Sequence, residues 1–338
     1  MTAVLDALNA ALHRAFASDE RVTLLGEDVL DPYGGAFRVT RGLSTAFPSR
    51  VLNTPISEGA IVGAGAGMAL RGMRPVVEIM FGDFITLAAD QLINHASKFR
   101  WMYADQVRVP LVLRTPMGGR RGYGPTHSQT LEKLFLGTPG IQVLAPTSVG
   151  DPGELLYRAI LETEDPILFV ENKLQYLLPV LETSELEEFR ITTYTSSMIP
   201  PASTYTLTIQ GAPAPVLTMT TYGYMAELAR QALLTLAYEH EIFAALVGPT
   251  RLAPSEMEPI LASVMQTGRL LTIEEGTRSL GWGSEVLAGC SEQLGPQLHQ
   301  SYRLAARDLP IPASGPLEAA VLPGLDEIIQ AARKLTHG

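Results

Sequence analysis

Glu58 and His127 are the two side chains whose type and setting could support acid–base chemistry. Glu58 stands in Asn53-Thr54-Pro55-Ile56-Ser57-Glu58-Gly59, just ahead of a glycine-rich helical pattern. A carboxyl there can hold a proton for a ligand or serve only as a partner of the helix dipole. His127 ends a loop carrying Gly118, Gly119, Gly122 and Gly124, where an imidazole can transfer a proton or merely hydrogen-bond. Phe81 and Phe84 flank Gly82 and Asp83 at the end of an expected strand; paired aromatics there suit a core as well as a cofactor platform. His95, inside Gln91–Trp101, reads as packing or surface, and Arg120 and Arg121 as solvated surface or an aid to an anionic substrate.

Other chemistries are excluded by spacing. Gly63, Gly65, Gly67 and Gly72 do not spell GxGxxG, because Met68 stands where the third glycine belongs and Ile56-Ser57-Glu58 is a poor preceding strand. Small residues in that stretch instead let a helix lie close to another backbone. The loop Arg114 to Gly124 lacks Gly-Lys-Ser/Thr, so it reads as mobile or substrate-facing rather than as a phosphate cradle. The single cysteine, Cys290, cannot form an intrachain disulfide, and no Cys/His cluster has zinc-ligand spacing. A reducing cytoplasm is the expected setting.

The elements that must carry these residues alternate. Apolar runs at 22–25, 75–80, 109–113, 141–145 and 167–170 interleave with helical patterns at 3–17, 59–71, 83–102 and 151–162, which predicts a parallel sheet covered on both faces. A second set, strands at 216–221, 242–247 and 270–273 with helices near 224–238, 255–266 and 283–293, predicts a smaller α/β domain. Between them periodicity fades, acids gather at Glu182, Glu185, Glu187 and Glu188, and Pro200-Pro201 breaks the chain. The expected organisation is therefore a domain at 1–180, a linker at 181–204 and a domain at 205–338. A formal charge of −10 argues against a nucleic-acid surface. The uncharged tract from Ile191 to Ala226 is too rich in Thr, Ser and Pro for a membrane helix, and the start of the chain lacks the pattern of an export signal.

Taken in order, GED at 26–28, GGAFRVTRGL at 34–43, NTPISE at 53–58, RPVVEIMFGDF at 74–84, DQLINHASKFR at 90–100, THSQ at 126–129 and DPILFVENKLQY at 165–176 form a recognisable set. It resembles the β subunit of the thiamine-diphosphate-dependent 2-oxo acid dehydrogenases, the first components that act on pyruvate, branched-chain 2-oxo acids and acetoin. The likeness continues through TYGYMAELA at 221–229, TGRLLTIEEGTRSLGWGSEVLA at 267–288 and LEAAVLP at 317–323.

The resemblance implies two three-layer α/β/α domains, a pyrimidine-binding transketolase-like domain followed by a transketolase carboxy-terminal-like domain. It implies an α2β2 enzyme in which the α subunit holds the diphosphate and Mg2+ and this chain holds the aminopyrimidine. No Gly-Asp-Gly, the start of the metal-and-diphosphate signature, occurs here, so activity is expected only with the α subunit. Glu58 matches the glutamate that hydrogen-bonds the pyrimidine ring nitrogen and favours the imino tautomer. Phe84 matches the aromatic packed on that ring, and Glu27 an acid near it. His127 matches a histidine at the site mouth that assists substrate handling or acyl transfer to lipoate. A structural K+ held by the main-chain carbonyls of Leu111, Ala159 and Ile160 is also implied. The expected reaction decarboxylates a small 2-oxo acid and passes the acyl group to lipoamide on an acyltransferase core. Acetoin cleavage, carboligation and a non-catalytic structural subunit are the alternatives, and one partner of a shared pocket does not define the acid.

Overall fold

The computed structural model describes residues 2–337 and contains two sheets. In the first, β1 (Val22–Gly26), β2 (Val51–Asn53), β3 (Arg74–Glu78), β4 (Val112–Met117), β5 (Gln142–Leu144) and β6 (Ile167–Asn172) run parallel. The second holds β7 (Phe189–Thr195), β8 (Ser203–Ile209), β9 (Leu217–Thr221), β10 (Ala244–Pro249), β12 (Arg269–Thr277) and β13 (Gln300–Ala306), in the order β13-β12-β9-β10-β8-β7. A short β11 (Arg251–Ala253) leaves that region and adds antiparallel to β5, giving the first sheet the order β11-β5-β6-β4-β3-β1-β2. The two sheets are thus stitched by backbone hydrogen bonds as well as by side chains.

Strands β1, β3, β4 and β9 are buried along their whole length, the pattern of parallel strands with helices on both faces. On one face of the first sheet lie α1 (Val4–Ser18) and α3 (Pro152–Glu162), which bury Val4, Leu8, Leu12 and Phe16 and Leu155, Leu156 and Ile160. Asp151 caps α3 by accepting the Glu154 N–H at 2.8 Å, and Pro152 occupies its first turn. On the other face lies α2 (Glu58–Leu70). A Cβ added to Gly65 of that helix would sit 2.8 Å from Val77 Cγ2, so the small residues bring helix and sheet into close contact.

The core under α2 continues into the second half of the chain, where α5 (Glu258–Thr267) and α6 (Trp282–Leu294) contribute Ile260, Val264, Trp282, Val286 and Cys290 to the same cluster. A separate core, formed by α4 (Met225–His240) and α7 (Leu325–His337), covers the far face of the second sheet. Both sheets therefore sit between helical layers. Among the described residues, no helix is long and apolar enough to cross a membrane.

Several elements depart from the sequence reading. The strand expected at 109–113 begins three residues later, at Val112. The helix expected over 83–102 is a 3₁₀ segment Gly82–Ala88, a π-helical segment Gln91–Ala96 and an α-helix Ser97–Met102; such irregularity often marks functional ground. Within the expected linker, β7 pairs antiparallel with β8 along its whole length. Its polar, Thr-rich outer face hides the alternation of an edge strand.

Candidate functional site

The candidate residues gather beyond the carboxyl ends of the parallel strands, where open α/β sheets place their ligands. Glu27 follows β1, Glu58 opens α2 after β2, Phe81 and Phe84 follow β3, the Gly118–Gln129 loop follows β4, and Lys173 follows β6.

Two carboxyls form the inner part. Glu58 is 5% exposed and Glu27 7% exposed. The nearby Ser57 N–H pulls the Glu27 carboxyl down, yet burial, then the neighbouring charge of Glu58, push it above the usual carboxylate range. A buried carboxyl beside a second negative charge favours its protonated form. Glu27 Oε1 is buried with no hydrogen-bond partner, a cost normally removed by a donor.

Aromatic rings form the outer wall. The His127 imidazole meets Phe81 at 4.9 Å and Phe84 at 5.2 Å between ring centroids, nearly perpendicular to each. Phe37 and Tyr123 lie edge-on against Phe81 at 5.6 Å and 6.0 Å. Gly82 lets the chain turn into this wall, because a Cβ there would lie 2.3 Å from Met117 Cγ. The sequence-derived Glu27, Glu58, Phe84 and His127 thus share one end of one sheet. His95 lies apart from them, half exposed against Phe99.

Comparison with known proteins places this arrangement. Residues 1–177 match the family described as transketolase, pyrimidine binding domain, and residues 209–328 match transketolase, C-terminal domain. The pyruvate dehydrogenase E1 component subunit beta-1, mitochondrial, of Arabidopsis thaliana is 35% identical over 99% of this chain and 89% of its own length. The chain belongs to the thiamine-diphosphate-dependent 2-oxo acid dehydrogenase E1 β family. The 3-methyl-2-oxobutanoate dehydrogenase subunit beta of Mycobacterium tuberculosis is 34% identical over 98% of this chain and 91% of its own length. The acetoin:2,6-dichlorophenolindophenol oxidoreductase subunit beta of Cupriavidus necator is 33% identical over 98% and 96%. A solved split-gene transketolase, described as an inactive beta4 tetramer, shares the fold at TM-score 0.74 and 20% identity, covering 99% of this chain and 98% of its own.

The residues fit an aminopyrimidine as ligand. Such a ring needs a buried carboxyl for its nitrogen, an acceptor for its amine and an aromatic wall. Glu58, the partnerless Oε1 of Glu27, and Phe84 with His127 supply those types at one strand-end cleft.

The carbonyls assigned to K+ fit less well. Leu111 O accepts the Ile167 N–H at 2.8 Å, and Ile160 O accepts Arg74 Nη1 at 3.0 Å, with Thr163 O on the same nitrogen at 2.8 Å. A buried guanidinium stands where that cation would share the Ile160 oxygen.

The loop carrying Gly118–Gly124 is hydrogen-bonded along its length to residues far away in the chain. Gly119 N–H donates to Glu275 Oε1 at 2.7 Å, Arg120 N–H to Glu318 Oε1 at 2.7 Å, and Gly122 N–H to Glu318 Oε2 at 3.2 Å. Arg120 Nη2 donates to Pro323 O at 2.6 Å, and Arg121 Nη2 to Lys173 O at 3.2 Å. Both arginines therefore brace the loop. The pinning carboxylates lie far away in the chain, which local glycine content does not reveal.

Sequence reasoning also missed a polar cluster beneath the site. Arg114, within β4, donates to both Glu171 oxygens at 2.7 Å and to Glu78 Oε2 at 2.6 Å, and all three are buried. Burial raises the Glu78 carboxyl against the pull of Arg114, and Tyr176 OH donates to Glu171. Only the charged letters inside otherwise apolar strands could have signalled it.

Proposed function

We propose that this chain supplies the aminopyrimidine half of a thiamine diphosphate site in an α2β2 enzyme. That enzyme decarboxylates a small 2-oxo acid and passes the acyl group to lipoamide. The observation that carries the reading is the buried Glu27–Glu58 pair, with one oxygen unpartnered, beside the Phe84–His127 wall. When bound, the cofactor supplies the electron sink for the carbon that loses carbon dioxide.

The chain's own residues then divide the work. Glu58 accepts or holds a proton at the ring nitrogen and so selects the tautomer of the neighbouring amine. Glu27, its carboxyl raised by burial and then by the neighbouring charge of Glu58, can carry a proton beside the ring. Phe84 and Phe81 exclude water and orient the ring. His127, half-buried at the mouth with Nδ1 3.0 Å from Thr126 Oγ1, presents a group that can donate to a substrate carboxylate or carbonyl. The diphosphate and Mg2+ fall to the α subunit, since no Gly-Asp-Gly occurs in this chain. Docking of the complex to an acyltransferase core follows from the same assignment.

Co-expression with an E1 α chain of the same genome tests this directly. Carbon dioxide release from pyruvate, 2-oxobutyrate and branched 2-oxo acids, dependent on both chains, thiamine diphosphate and Mg2+, is the expected result. A stable complex that releases none from any acid would remove the dehydrogenase assignment and turn attention to acetoin cleavage, the activity named for one relative.

A further inference from the structure

Lys173 has no part in the chemistry above, yet it is completely buried and touches the loop that carries His127. Its Nζ donates to Gly118 O at 2.7 Å and to His127 O at 2.6 Å, and lies 5.3 Å from the centre of the Phe81 ring. Among the described residues, no carboxylate comes within ion-pair distance of it. An ammonium has three donors and no acceptor. Two are spent on carbonyls nine residues apart, and the charge also faces an aromatic ring. Burial pulls the ammonium down to about 8, with Asp83, Glu275 and Glu318 opposing that fall from a distance and Arg121 adding to it. A buried charge without an ion partner is costly, and its hydrogen bonds must offset that cost.

The geometry of the loop shows what those bonds achieve. Gly118 and His127 are its two ends, so one ammonium closes the loop into a ring. Asp83 Oδ1 fixes the next residue but one, accepting from Gln129 N at 3.1 Å and Gln129 Nε2 at 2.9 Å. Glu275 and Glu318 hold the intervening N–H groups from the second half of the chain. Arg121 returns a bond to the Lys173 carbonyl. At the His127 end the imidazole is wedged edge-on against Phe81 and Phe84.

We propose that Lys173 is a positioning residue: by tying the Gly118 and His127 carbonyls together it sets the His127 imidazole between Phe81 and Phe84. The inference rests on His127 having the substrate-handling role given above. Its loop geometry, however, can be read without any activity.

The test uses Lys173→Met, Lys173→Gln and Lys173→Arg, each alone and with His127→Ala, in the full chain and in the α–β complex. In the full chain, the imidazole proton signals of His127, identified by their loss in His127→Ala, are expected to move towards the free-histidine position in Lys173→Met as the ring currents of Phe81 and Phe84 are lost. Trypsin is expected to cut after Arg120 or Arg121 faster in the same variant, because the loop opens more often. In the complex, Lys173→Met should lower kcat by roughly 10- to 100-fold, the order expected when a group is misplaced by about an ångström. Lys173→Arg should recover most of that loss. In the His127→Ala background, Lys173→Met should add less than about a twofold change, the signature of a residue acting through another. Multiplicative losses in the double variant, or an unmoved His127 signal in Lys173→Met, would overturn the proposal. Lys173→Gln, which keeps a donor, replaces Lys173→Met if the latter does not fold. An inactive complex with a displaced His127 signal would remove the dehydrogenase reading and leave the clamp standing.

Discussion

The hydroxyl of Tyr222, immediately after β9 in the second sheet, donates to the carboxyl of Glu132 in the first half of the chain. Both side chains are buried, Glu132 completely. The second oxygen of Glu132 and both Glu274 Oε2 and Trp282 Nε1 have no partner nearby, and Trp282 packs edge-on against Tyr222 at 5.1 Å. The two halves are therefore joined by a buried polar contact inside a continuous apolar core. Tyr222→Phe leaves a buried carboxyl oxygen unmatched and should destabilise the chain by about 1–3 kcal/mol. Denaturant unfolding, followed by tryptophan fluorescence, gives the difference in midpoint; no change would mean that water already serves Glu132.

Glu274 gives that interface a pH dependence. Burial, then the charge of Glu132, push its carboxyl up to about 8, against the pull of the N–H groups of Gly283 and Trp282. Glu132 is shifted in the same direction by its own burial. A carboxyl whose folded pKa exceeds its unfolded value binds the proton more tightly when folded. Its stabilising effect is complete below the unfolded pKa and is lost as pH rises through the folded one. The melting temperature of the wild-type chain should therefore fall between about pH 5 and 8 from this source. Glu274→Gln, neutral at every pH and able to keep the Gly283 contact, should flatten that fall. An equally steep fall in the variant would assign it to other groups.

Glu58→Gln separates folding from chemistry at the candidate site. The amide matches the carboxyl in shape and relieves the charge on Glu27, so the melting temperature should hold or rise slightly. Turnover in the α–β complex should drop by about 10²–10⁴, the usual contribution of a positioned acid–base group. Full activity in the variant would show that Glu58 is only a helix-dipole partner and would restore the non-catalytic reading of the chain.

The fold was legible in the sequence wherever burial on both faces wrote a continuous apolar run, as in β1, β3, β6, β9 and β10. It was illegible where one face met water: β7 carries Thr outward and read as linker, and β8, with Ser and Thr along it, was passed over as a strand. The site was legible in the residues that follow strand ends, because Glu58 and His127 keep their chemistry whatever the surroundings. Lys173, Glu275 and Glu318 act on the site only through contacts made across 46 to 198 residues of chain, and spacing along the sequence does not encode such distances. The buried group of Arg114, Glu78 and Glu171 escaped notice for the same reason.

That buried group carries the strongest stability prediction. Arg114 is the one cation bonded to two acids that are 7% and 1% exposed, with four bonds running from Arg114 and Tyr176 to them. Arg114→Met removes the one cation and leaves two acids facing each other in an apolar sheet, a change expected to cost about 3–5 kcal/mol. The acids can escape by taking up protons, so the variant should be least stable above neutrality and recover in part as the pH is lowered. Glu78→Gln keeps an acceptor for Arg114 and leaves a balanced Arg114–Glu171 pair; it should be nearly neutral at pH 7. Melting curves of both variants at pH 5.5 and pH 8 decide the matter: equal losses from the two substitutions would mean that packing volume, and not charge balance, holds the centre of the sheet together.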